Sequence, residues 1–210
     1  MRVGRKWCVL QDLGFIFMLE YISYVMKYLT GNPCSDRNKL RSTEMIAPKI
    51  QKLLPGDWQT FKYLRLKSLS LHPNVFSPLI DEFSRTDEEW FKFLQNPKFQ
   101  GFQLIFNEKP IGLTGIIEDR NCPKGTTGLF VMSYIEVEFR SRGFSKYFYD
   151  ARIEWAKEFS SYKKLIVGHR EGNESSRRAN QKAGFKLFEV VDWNWPDGTM
   201  DKLYRYELII

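Results

Sequence analysis

Cysteine and histidine are scarce in this chain of 210 residues, with three Cys and two His. Cys8, Cys34 and Cys122 are odd in number and widely spaced, and no CxxC occurs. Neither a disulfide scaffold nor a cysteine zinc site fits, and a reduced, cytoplasmic chain is expected. His72 and His169 stand far apart with no Cys/His cluster beside them, so no metal site is expected. Glycine, at 14, is far too rare for collagen. Long apolar runs are missing too. The longest uncharged run in the apolar stretch near the start, Leu13 to Leu19, is seven residues, against the roughly 20 that a membrane-spanning helix needs. Arg2, Arg5 and Lys6 before Phe15 to Leu29 have the order of a signal peptide, but no small-residue cleavage site follows.

What is present is a globular composition. Hydrophobic residues make up 43% and charged residues 27%, and the 17 Phe, 10 Tyr and 6 Trp are enough to build a core. The net charge is +7, yet residues 1–44 carry seven Lys/Arg against four Asp/Glu, which leaves 45–210 at only +4. That balance permits an anionic partner without selecting one. No aromatic-basic interleaving or RNA motif accompanies it, so no nucleic acid is expected.

The chain divides at its linker-like stretch, Gly31 to Thr43. Residues 1–44 form an apolar extension with two readings. It is a greasy helix docking on the body or a membrane surface, or translation begins at Met45. Residues 45–210 read as one domain. A short strand at Ile50 to Leu54 is followed by a helix from Asp57 to Leu71, with Phe61, Leu64, Leu66 and Leu69 as apolar positions. Pro78 to Phe83 suggests another short helix. Thr86 and Glu89 form a capping box for a third, with Trp90, Phe91, Phe93 and Leu94 as its apolar face. Strands at Phe102–Phe106 and Ile111–Ile117 make a hairpin. A long strand runs from Leu129 to Val137, with Leu129, Val131, Ser133, Ile135 and Val137 on one face. The stripe Phe144, Phe148, Ala151, Trp155, Phe159 marks a helix from Ser145 to Phe159. A buried strand at Leu165–Val167, a helix at Asn173–Ala183 stopped by Gly184, and strands at Phe185–Val191 and Leu203–Ile210 complete an α/β domain. Its sheet is mixed, with helices on both faces.

The chemistry concentrates where the long strand gives way to a helix, at Arg140-Ser141-Arg142-Gly143-Phe144-Ser145. The first amides of a helix have no intrahelical partner and carry partial positive charge. Small residues let another group approach, and two arginines add charge, so this junction suits a pyrophosphate. The plain alternative is a surface loop with two solvated arginines. Downstream stands Asn173-Glu-Ser-Ser176-Arg-Arg178-Ala-Asn-Gln-Lys182-Ala-Gly184-Phe185, which by itself reads only as a capped helix.

In this order the two segments resemble the GNAT superfamily of N-acetyltransferases over about residues 48–210. Arg140-x-x-Gly143-x-Ser145 matches the family's cofactor motif. Asn173, Ser176, Arg178, Lys182, Gly184 and Phe185 match the motif that follows in one large branch. Together with the Thr86-Asp-Glu-Glu-Trp90 helix, they look closest to the ribosomal-protein alanine acetyltransferase type.

The resemblance implies a splayed, mostly antiparallel acyl-CoA N-acyltransferase fold and acetyl-CoA as co-substrate. It implies direct acetyl transfer to a primary amine, on a small molecule or a protein N-terminus, by a monomer or homodimer. The strand would splay after Ile135, whose N–H would polarise the thioester carbonyl. Val137 takes the place of the usual proline. Arg140, Ser141, Arg142, Gly143, Phe144 and Ser145 would hold the pyrophosphate, and Asn173 and Ser176 would flank the pantetheine.

Two departures stand out. Asn180 occupies the place where many members carry an acid tyrosine, and no carboxylate stands early in the long strand. Glu136, Glu118 and Tyr134 remain as candidates for a base. Each has a bland reading as a solvated carboxylate, a turn residue or core. A water chain with no dedicated base is a further alternative. His169 is a weaker candidate for lining the thiol pocket. Trp193 and Trp195 wall the acceptor site or merely seal the sheet edge. A catalytically inactive fold that binds CoA or a partner is the competing reading.

Overall fold

The computed structural model describes residues 47–76, 81–122, 124–158 and 161–210. The N-terminal extension, the linker, the first half of the helix expected at Pro78–Phe83, and Phe159 lie outside the described residues; the second half of that segment runs into a short 3-10 turn, Glu82–Ser84. The elements run β1 (Lys49–Lys52), α1 (Trp58–Leu71), α2 (Asp87–Leu94), β2 (Phe99–Phe106), β3 (Lys109–Glu118), β4 (Thr127–Ile135), α3 (Ser145–Glu158), β5 (Lys164–Arg170), α4 (Glu174–Lys182), β6 (Lys186–Asn194) and β7 (Met200–Ile209).

Local signals set most boundaries. Glu89 N–H donates to Thr86 Oγ1 and Thr86 N–H to Glu89 Oε2, closing the capping box that starts α2. Asn173 Oδ1 accepts from Ser176 N–H at 3.1 Å and starts α4. Gly184, at φ +89°, ends it in a conformation that side chains other than glycine's rarely adopt. Asp57 precedes α1 but does not cap it. Its carboxylate accepts from Leu54 N–H instead, tightening the turn before the helix.

The strands form one seven-stranded sheet in the order β1-β2-β3-β4-β5-β7-β6. Every pairing is antiparallel except β4–β5. One face carries α3 and α4, with Tyr149, Ala151 and Ala156 packed on Phe102, Ile116, Phe130, Leu165, Val167, Phe185 and Tyr206. The other face carries α1 and α2, with Phe61, Leu64, Trp90 and Leu94 against Phe99, Leu113 and Tyr134. Phe91, expected on the apolar face of α2, is instead exposed. Beneath α1, Arg65 and Glu82 form a buried bidentate pair, with both nitrogen–oxygen distances 2.8 Å. Among the described residues no helix is long and apolar enough to cross a membrane.

β4 departs from the regular strand expected from the sequence. It pairs with β5 only from Thr127↔Lys164 to Leu129↔Ile166. Met132 then adopts φ +60°, and the register with β3 shifts between Leu113 and Gly115. This bulge bends β4 and ends its pairing on the β5 side. The splay therefore opens after Leu129, six residues before the expected Ile135. The bulge also breaks the single-face pattern. Val131 packs on the α1 side, whereas Ser133 is hydrogen-bonded to α3. β4 ends at Ile135, and Val137 lies in a short 3-10 turn, Val137–Phe139.

Candidate functional site

Backbone directions at the end of β4 follow from its bonds. Glu136 N–H donates to Ile111 O on β3, and Ile135 O, facing the opposite way, accepts from Arg140 Nε at 2.8 Å. In a strand the N–H and C=O of one residue point to the same side. The Ile135 amide therefore points away from β3, into the splay, where a carbonyl oxygen can receive it.

Just beyond lies the loop at the N-terminus of α3. Ser141 (φ +62°) and Gly143 (φ +76°) are both left-handed. The alternation turns successive amides toward one concavity. Among the described residues, the amides of Ser141, Arg142, Gly143, Phe144 and Ser145 make no hydrogen bond; the first bonded ones are Lys146 N–H to Gly143 O and Tyr147 N–H to Phe144 O. A side chain on Gly143 would meet nothing within 4 Å, so the space above the loop is open. A concave row of unpaired donors at the start of a 14-residue helix favours an oxyanion. The residues present thus fit a pyrophosphate. Arg142 stays at the rim, its Nη2 on Glu138 O and its guanidinium over Phe139. Arg140 folds back, reaching His72 Nε2 at 2.7 Å besides Ile135 O. Its direct part is in shaping the loop.

The other expected residues scatter. Asn173 Oδ1 is occupied by Ser176 N–H and Ser175 Oγ, which leaves its amide NH2 free to donate. Glu136 sits at the end of the splay, in an ion pair with Lys67 of α1. Burial pulls the Lys67 ammonium down, but its interactions with Glu136 and Tyr63 together outweigh it and the net shift is upward. Tyr134 is buried on the α1 face, its hydroxyl has no partner, and burial raises its pKa. The Arg140 guanidinium and the His72 ring lie 5.7 and 6.1 Å from its ring. Burial and the Arg140 charge lower the His72 pKa, keeping that imidazole neutral at pH 7. Glu118 is not brought to the site. It pairs with Lys98 at 2.6 Å and faces Gly128 at the opposite end of β4, about 20 Å from Ile135 at ~3.3 Å per residue.

Sequence reasoning placed Asn180 at an acid's position, but the structure makes it core. It is 1% exposed, and its Oδ1 accepts from Tyr149 OH at 2.5 Å. His169 is also buried, with its ring nitrogens on Arg170 O and Tyr206 OH and its ring stacked on Tyr204. Trp195 is buried under Arg170, which binds Asp197, Asp201, Thr199 and Asn74 O together, whereas Trp193 is exposed. The arginine holds Asp197 at a pKa of about 2. Trp195 thus seals the hairpin base, and Trp193 is left at the surface.

One buried residue escaped the sequence reading. Arg152 on α3 is fully buried, and among the described residues no carboxylate stands beside it. Its Nε bonds Phe148 O and its Nη1 bonds Ser133 Oγ at 3.0 Å, while Nη2 has no partner. Its guanidinium lies 3.9 Å from the Phe130 ring centre and 4.9 Å from that of Tyr149. Desolvation lowers its pKa to about 10, which leaves it charged at neutral pH. The signal was available, because Arg152 stands four residues after Phe148 and next to Ala151, inside the helix's apolar stripe.

Comparison with known proteins places this arrangement. No curated protein matches the chain. Among solved structures, a GNAT-family acetyltransferase from Streptococcus pneumoniae superposes with a TM-score of 0.66 at 19% identity, over 78% of this chain and all of that one. A ribosomal-protein-alanine N-acetyltransferase from Brucella melitensis gives 0.65 at 16% identity, covering 77% and 99%. Spermidine N-acetyltransferase from Vibrio cholerae, solved with CoA and spermine, gives 0.63 at 15%, covering 77% and 95%. At these identities the likeness is one of fold. The sequence pattern of the Acetyltransferase (GNAT) family itself matches residues 64–185, from within α1 to just past α4, and the chain belongs to that family.

Proposed function

We propose that the protein is an N-acetyltransferase that moves an acetyl group from acetyl-CoA to a primary amine. Members of the family bind acetyl-CoA or CoA. The observation that carries the reading is the row of unpaired amides from Ser141 to Ser145 at the head of α3, beside a β4 that has left its neighbour. Bound there, acetyl-CoA supplies an acetyl group already activated as a thioester.

The chain's own residues then do the following. The amides of Ser141 to Ser145 bind the pyrophosphate, with Arg142 at the rim and Arg140 holding the loop to β4. Ile135 N–H gives a hydrogen bond to the thioester oxygen, where negative charge builds as the amine adds. Asn173 offers its NH2 to the pantetheine from the head of α4, and Ser176 N–H fixes the Asn173 side chain. Glu136 ties β4 to α1 through Lys67, and the proton leaving the incoming ammonium passes to water. The domain spans residues 45–210 and acts in the cytoplasm; residues 1–44 are an extension to it.

The acceptor is a small amine or a protein N-terminus. Incubating the full chain with acetyl-CoA and a panel of polyamines and Ala- or Ser-initiated peptides, and following thiol release, tests the reading. Turnover with any acceptor supports it. The burial of Asn180 beneath Tyr149 favours a second reading, a module that binds CoA without turnover, and saturable binding with no turnover across the panel would favour that one.

A further inference from the structure

The α3 face of β4 holds a polar chain that the reading above leaves unused. Among the described residues the buried cation Arg152 has no counter-ion, and burying such a charge is unfavourable unless polar groups compensate it. Its outlet is Ser133. That residue is exposed, because the splay leaves β4 without a neighbour on that side. Ser133 Oγ accepts from Arg152 Nη1, since a guanidinium can only donate. Thr114 Oγ1, fully buried on β3, lies 3.0 Å from Ser133 Oγ and 3.4 Å from Val131 O, so it can donate to either oxygen. When Thr114 donates to Ser133, both lone-pair positions of Ser133 are filled and its own O–H is left to donate, with the splay as the open direction.

Resting on the acetyl-CoA reading, we infer that Ser133 is a catalytic residue whose hydroxyl, polarised by Arg152 and oriented by Thr114, receives the departing CoA thiolate. As the new C–N bond replaces the C–S bond, the electron pair falls on sulfur. Ser133 O–H stabilises that charge with a hydrogen bond, and the ammonium proton goes to solvent. Arg152 and Thr114 are positioning residues. The arrangement takes over the part that Asn180, buried and bonded to Tyr149, cannot play.

The test is the titration of the bound thiol. Full-chain protein is saturated with CoA, and the ultraviolet absorbance of the thiolate is followed against pH, with the desulfo-CoA complex subtracted to remove tyrosine. Free CoA titrated under the same conditions gives the reference, and the bound thiol is expected at least about one unit lower. Other ionisable groups on this face are Tyr149 on α3, Tyr162 before β5, His169 on β5 and Tyr204 and Tyr206 on β7. Tyr134, His72, Arg140 and the Lys67–Glu136 pair lie across β4. Ser133→Ala, at an exposed position, is expected to return the thiol to its free value while keeping desulfo-CoA affinity, and Ser133→Thr to restore the shift. Arg152→Met is expected to match Ser133→Ala. An unshifted thiol in the wild type, or an unchanged shift in Ser133→Ala, overturns the inference alone. Failure of folded protein to bind CoA overturns the cofactor reading with it.

Discussion

The two faces of β4 satisfy their polar groups differently. On the α1 side charges are closed in pairs, Lys67 with Glu136 and Arg65 with Glu82, and Arg170 closes the nearby hairpin with Asp197 and Asp201. Among the described residues, single buried donors lack a partner on both sides, Tyr134 OH, Trp90 Nε1 and Arg85 Nη1 on the α1 side and Arg152 Nη2 and Asn180 Nδ2 on the α3 side, but only the α3 side adds a row of five adjacent unpaired amides, at the head of α3. A row of adjacent open donors at a helix N-terminus is a place that an acceptor-rich anion can fill. A ligand rich in acceptors, as a pyrophosphate and amide-linked arm are, fits the side with spare donors. The paired side is built for shape.

Removing a spare donor should therefore cost binding, and removing a pair should cost stability. The largest expected effect is on the pair. Glu82→Gln strands Arg65 in the core and should destabilise the fold by about 3–5 kcal/mol in denaturant unfolding, with acetyl-CoA affinity unchanged below the transition. An affinity loss in the folded variant would blur the division between the faces. Next, Gly143→Asp puts a carboxylate into the anion cradle. It should weaken acetyl-CoA at least about a hundredfold, or about 2.7 kcal/mol, at a cost in stability of about 1–2 kcal/mol from the left-handed backbone. Glu136→Gln should lower turnover by less than about tenfold, because its carboxylate is committed to Lys67. A loss of about 10²–10⁴ would instead make it a general base. The smallest effect concerns pH. Asp197 titrates near 2 beside Arg170, against about 3.9 in an unfolded chain. Its hold on the β6–β7 hairpin is complete above about pH 4 and is lost as pH falls through about 2. Tryptophan fluorescence should report that step, and Asp197→Asn should abolish it.

Much of the framework on both faces was legible in the sequence because its signals are local. The Thr86/Glu89 box, the Asn173 cap, the Gly184 stop and the Phe148–Ala151 stripe each act within a turn or two of helix. The loop Arg140–Ser145 was legible for the same reason. The bulge at Met132 was not. Its left-handed backbone is imposed by register with β3, and no residue type at 131–133 announces it. The splay was accordingly expected six residues too late, and Ser133 was assigned to the same face as Val131. Glu118 and Glu136 looked alike as carboxylates in the sequence, and only the pairing of β3 with β4 put them at opposite ends. Arg152 lies inside the apolar stripe of its helix but is easily passed over, because a helix cation is normally solvated; tertiary packing shows that it is buried.

Calorimetric titration of acetyl-CoA into the full chain, beside Gly143→Asp, tests most directly whether the spare donors on the α3 face form a cofactor site. Micromolar binding by the wild type that the variant loses, with both proteins folded, is the predicted result. No binding by the folded wild type, or equal binding by both, would contradict the account.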